Sequence, residues 1–83
     1  MIHQVYAIRD LKADAYLQPF FSHNNGTAIR SFADACQKED APFFKHPSDF
    51  ALFHLGVFDD VSGSIEPVTL KNLGLAADYV SKS

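Results

Sequence analysis

Phe50-Ala51-Leu52-Phe53-His54-Leu55-Gly56-Val57-Phe58, continued by Asp59-Asp60-Val61-Ser62-Gly63 and Ser64-Ile65-Glu66-Pro67-Val68, decides how this chain folds. The first nine residues are nearly unbroken apolar surface. They are too few, and too rich in aromatic and branched side chains, for an isolated helix, so they read as a central strand. In the next five, acidic residues open a turn and Gly63 supplies a positive φ, and the last five resume extended chain. The whole stretch is a β-hairpin with a four- or five-residue loop.

Working back toward the start, Ile2 to Arg9 places apolar residues on both faces of an extended segment and reads as the first strand. Asp10-Leu11-Lys12-Ala13-Asp14 is a polar break. Ala15 to Phe21 then resumes the extended pattern, and because proline has no N–H to give a ladder, this is an edge strand or Pro19 sits at its bulged end. Asn24 or Asn25 caps the helix that follows. Ile29, Phe32, Ala33 and Cys36 recur at i, i+3, i+4 and i+7, one apolar stripe on a helix ending near Lys38. Pro42 to Asp49 holds the aromatic pair Phe43-Phe44 between two prolines and reads as a turn or single helical turn.

Beyond the central hairpin, Leu73, Ala76, Ala77 and Val80 have helical spacing within Leu70 to Val80, which adds a short C-terminal helix to the expectation, weakened by Gly74. Ser81-Lys82-Ser83 is expected to fray. The fold class is α+β: two β-hairpins form a small antiparallel sheet with one helix packed on a face, in the order ββαββ. Residues 1–83 make a single domain.

Eighty-three residues give a thin core, and a lone Cys36 provides neither a disulfide nor a cysteine pair for zinc. Eight Phe and three Tyr are more aromatic surface than one small sheet face hides, so a homodimer is expected. No apolar run is long enough to span a membrane, and the first residues lack the pattern of a secretion signal. With a free thiol, this fits a reducing cytoplasm. The formal charge of −3 counts against broad binding of phosphate backbones.

Little here suggests catalysis. His3, His23, His46 and His54 show no metal-ligand spacing, and His54 reads as a hydrogen-bonded sheet residue. Asp59, Asp60 and Glu66 form an acidic cluster best explained by turn formation, and Cys36 lies on the buried helix stripe. No cofactor, metal or enzymatic activity is expected. The remaining constellation is basic and aromatic: Arg9 and Lys12 at the first hairpin, Tyr16 and Phe20 after it, and Phe43, Phe44 and Lys45 in the linker. Single-stranded nucleic acid is held by such mixtures, bases stacking on rings while cations follow the backbone.

As a whole, the chain resembles the small nonstructural protein of gokushoviruses, single-stranded DNA bacteriophages of the Microviridae. The likeness rests on Tyr6-Ala7-Ile8-Arg9-Asp10 with Lys12-Ala13, Tyr16, Pro19-Phe20 and Ala28-Ile29-Arg30-Ser31-Phe32. It continues through His46-Pro47-Ser48-Asp49-Phe50, Leu52, Gly56, Phe58-Asp59, Gly63, Glu66-Pro67 and Leu73. The linker and the C-terminal tail depart from it. The resemblance implies a viral protein acting in the DNA cycle inside the host bacterial cytoplasm. The expectation is therefore a non-enzymatic accessory protein that binds single-stranded DNA, or the replication machinery on it, through Arg9, Lys12, Tyr16 and Lys45. The alternative is a protein–protein adaptor that contacts a host or viral protein through an aromatic surface or sheet edge, without DNA.

Overall fold

The computed structural model describes residues 1–80, so the expected fraying of Ser81-Lys82-Ser83 lies outside the described residues. In chain order the elements are β1 (Ile2–Asp10), β2 (Ala15–Tyr16), β3 (Phe20–Ser22), α1 (Asn25–Cys36), α2 (Pro42–Lys45), β4 (Phe50–Asp59) and β5 (Ile65–Leu75). Short 3-10 turns at Pro47–Asp49 and Ala76–Asp78 complete them. One antiparallel sheet runs β2-β1-β4-β5, with β3 also paired to β1 beside β2. This is the α+β architecture the sequence implies, two hairpins joined through β1 and β4 with α1 across one face.

The central strand lies where its composition puts it. β4 pairs with β1 from Ile2–Asp59 to Asp10–Phe50 and with β5 on its other side. The hairpin loop closes as expected: Asp59 Oδ1 accepts from the amide of Val61 at 2.9 Å, the Gly63 amide donates to the Asp59 carbonyl at 2.8 Å, and Gly63 has φ +76°. α1 starts at its predicted cap. Asn24 is extended, and its Oδ1 accepts from the amide of Thr27 at 2.8 Å, satisfying a donor the helix cannot.

Alternation along the strands sorts the sheet into two faces. Tyr6 and Ile8 on β1 and Phe50 and Leu52 on β4 join Ala28, Phe32 and Cys36 of α1 in the core. The stripe is rotated slightly from the sequence reading: Ala28, Phe32 and Cys36 are buried, whereas Ile29 and Ala33 sit half-buried at its margin. Phe43 of α2 seals the end of this core, its ring edge-on to Phe32 at 5.9 Å and to Phe50 at 5.1 Å. The aromatic linker is thus a plug.

Two expectations need correction. The second strand is not continuous from Ala15 to Phe21 but splits into β2 and β3 around Leu17-Gln18-Pro19, because Pro19 cannot continue the ladder. The C-terminal helix does not form. β5 runs on to Leu75, with Lys71 opposite His54 and Leu75 opposite Ala51, and only a 3-10 turn follows. Gly74 at φ +133° and the pairing offered by β4 outweigh a weak helical spacing. Three of the four expected apolar residues, Leu73, Ala76 and Val80, still pack on the core in this other conformation, with Tyr79 beside them.

Both edges of the sheet are blunted. β2 and β3 are short and interrupted, and β5 carries Pro67 and slips register against β4 between Leu52 and Phe53 and between His54 and Gly56. Bulged and proline-bearing edges make poor templates for pairing with another strand. The other open surface of the sheet is the face opposite α1.

Candidate functional site

The first hairpin builds the basic-aromatic end of that helix-free face. Asp10 Oδ1 accepts from the amides of Lys12 and Ala13, both at 3.0 Å, folding the loop back on itself, and Asp14 leaves it at φ +59°, a conformation Asp tolerates. The Leu11 amide donates to the Asp49 carbonyl at 2.8 Å and fastens the loop to the segment before β4. Arg9 and Tyr16 are then cross-strand partners. The guanidinium carbon of Arg9 lies 5.0 Å from the centre of the Tyr16 ring, and that ring meets Phe53 edge-on at 5.9 Å. Hydrogen bonding to Tyr16, then the charge of Asp14, raises the pKa of Arg9 above its ordinary value.

Of the four residues expected to contact DNA, three belong to this hairpin. Lys12 is exposed in its loop, Arg9 is half-buried, and Tyr16 is 37% exposed, enough to offer an edge or part of a face. Lys45 stands apart, at the end of α2, which packs through Phe43 on the helix-bearing side. Phe20 stacks on Tyr6 at 5.8 Å and joins the core, as Phe43 does. The sequence reading missed Asp14, whose carboxylate forms an ion pair with Arg9. It also missed Phe53, which the alternation from Leu52 assigns to the open face.

At its other end the open face carries His3, Phe21 and Phe58, with ring centres 5.7 to 6.2 Å apart. Asp60 borders it. Its Oδ1 accepts from the amino group of Met1 at 2.8 Å and its Oδ2 lies 2.9 Å from His3 Nε2, and these two contacts, the amino group first, hold the carboxyl below its ordinary value. Between the two ends lies a groove of about 410 Å³ with Val5, Leu55 and Gly56 along it and Phe21, Ile65 and Pro67 around it. Glu66 is the one charged residue among those lining it.

The residues weighed for catalysis take other parts. Asp59 shapes its turn and Asp60 pairs with Met1 and His3. His54 Nε2 meets Gln4 Oε1 at 2.8 Å on the half-buried sheet, and Cys36 is buried, its thiol pushed up to about 11 by desolvation. Among the described residues no three His, Cys, Asp or Glu side chains gather as a metal site, and no helix is long and apolar enough to cross a membrane.

Fold and face together define a small two-layer α+β domain, a helix on one side of an antiparallel sheet and a bare aromatic surface on the other. The chain belongs to the phage ORF5 protein family, whose sequence profile matches residues 3–79. No curated protein and no solved structure matches it.

Proposed function

We propose that this protein is a non-enzymatic accessory protein in the DNA cycle of a gokushovirus, binding single-stranded DNA in the host cytoplasm at the hairpin end of its open face. The observation that carries the reading is Arg9 poised over Tyr16 beside Phe53, with Lys12 exposed in the adjoining loop. An extruded base stacks on the open part of the Tyr16 ring, edge-on to Phe53, while Arg9 and Lys12 meet neighbouring phosphates, the division of labour by which single strands are held without sequence preference. Lys45, on the other side of the sheet, falls outside this footprint. Membership in a phage family supports a viral role.

With two phosphates engaged, the logarithm of affinity should fall with the logarithm of salt at a slope of about −1.4. Titration of a fluorescent single-stranded oligonucleotide across salt tests this. Binding that weakens with that slope, and that Lys12→Glu weakens further, is the expected result. No binding at low salt, or binding indifferent to salt, overturns the reading.

A second reading, a protein–protein adaptor without DNA contact, draws support from two features. The charge of Arg9 is already answered by Asp14, and the groove beside it is lined by apolar residues apart from Glu66. Failure of the titration would leave this one standing.

A further inference from the structure

The apolar end of the open face has the form of a self-complementary contact. Phe21 and Ile65 are 59% and 71% exposed, and they stand on opposite sides of the groove floored by Val5, Leu55 and Gly56. One patch therefore carries both projecting side chains and a hollow able to receive them. That is what a two-fold contact between identical surfaces requires, since each copy must supply the knob and the hole. We propose that a second copy of this chain docks here, each molecule placing Phe21 and Ile65 against the groove of the other.

Three further observations point to a second copy as the occupant. Among the described residues nine apolar side chains are buried, and four of them are alanines, so the monomer hides little side-chain volume. A domain this small commonly makes up such a shortfall by oligomerisation, and the partner always present in stoichiometric supply is its own kind. The whole face, at most about 33 Å long and 19 Å wide, projects to roughly 600 Å² with its Arg9–Tyr16 end included, below the roughly 800 Å² per partner of a standard interface, so the dimer is a weak, concentration-dependent one. The lining carries one charge, Glu66, so little polar surface loses water on closure. Edge-to-edge pairing is disfavoured by the bulges and Pro67 of β5, which leaves face-to-face contact as the route. Arg9, Lys12 and Tyr16 sit at the far end of β1, so this inference does not rest on the DNA-binding reading.

Sedimentation equilibrium of the full chain, over a wide concentration range, tests the proposal together with the melting temperature at each concentration. The expected result is a mass of twice 9.2 kDa and a melting temperature that rises with concentration. Ile65→Asp should restore the 9.2 kDa species or, if monomers fold poorly alone, lower the melting temperature at every concentration. Leu11→Asp, an exposed apolar position at the other end of the molecule, should leave the mass unchanged. A wild-type mass of 9.2 kDa with a concentration-independent melting temperature overturns the proposal, as does open-ended growth beyond the dimer or an Ile65→Asp variant that remains fully dimeric.

Discussion

The hydroxyl of Tyr6, on the strand at the middle of the sheet, donates to Oδ1 of Asn25, the first residue of the helix, at 2.8 Å. The ring is fully buried, so the contact fixes where the helix starts relative to the sheet it covers. Burial also raises the pKa of the phenol, which keeps the donor protonated. Tyr6→Phe keeps the packing and removes only the bond. It should cost about 0.5–1.5 kcal/mol, read as a shift in the urea midpoint without a change of slope.

Gly56 sits against the backbone of β5. A methyl group there would come within 2.5 Å of the Glu66 carbonyl oxygen, and that atom belongs to a paired strand with little room to move. Gly56→Ala should therefore destabilise the protein by about 1–3 kcal/mol, although Gly56 has no positive φ and alanine usually favours a strand over glycine. Urea denaturation measures it. An unchanged midpoint would show that β5 yields readily, and with it one wall of the groove.

Cys36 has its thiol pushed up to about 11, from 9.0, by burial against the sheet. The unfolded chain thus loses this proton first as the solution becomes alkaline. Stability from this group is complete below pH 9.0 and declines as pH rises toward about 11. Alkylation by iodoacetamide at neutral pH should proceed only at the rate at which the protein opens, and should accelerate with denaturant.

Asp60 gives the opposite sign. Its carboxyl lies below the ordinary 3.8 in the folded protein, through the Met1 amino group first and His3 second, so the unfolded chain takes up the proton first as pH falls. The stabilisation is complete above pH 3.8 and disappears as pH drops through the lowered value. Asp60→Asn should therefore lower the melting temperature at neutral pH and converge with the wild type in acid. The effect should be small, since the contact is exposed to solvent and salt.

Much of this was written in the order of the residues. Phe50 to Phe58 can bury both faces only as a central strand, Gly63 marks its turn, and Asn24 marks the start of the helix. The tail is ambiguous in sequence because Leu73, Ala76 and Val80 reach the core by either route. A helix would bring them there by its spacing, and a strand with a final turn brings them by its path, so spacing alone does not choose. The choice falls to the open side of β4, a tertiary fact. Arg9 and Tyr16 were legible as neighbours because a short loop joins their strands. Asp14 as the counter-ion, and Lys45 on the far side, were not, because the first depends on a single residue with positive φ and the second on Phe43 entering the core.

The pairing of β1 with β4 also sets the tempo at which this molecule is made. Residue 10 waits for residue 50 and residue 2 for residue 59 before the middle of the sheet can close. A nascent chain that has emerged only through the helix holds half a sheet and no complete interior. Assembly is then a late, all-or-none event on the order of milliseconds to seconds, as in other topologies ruled by distant contacts. A phage that produces this protein in quantity would thus expose its aromatic strands longest at the moment of synthesis, when chaperones of the host have most to do.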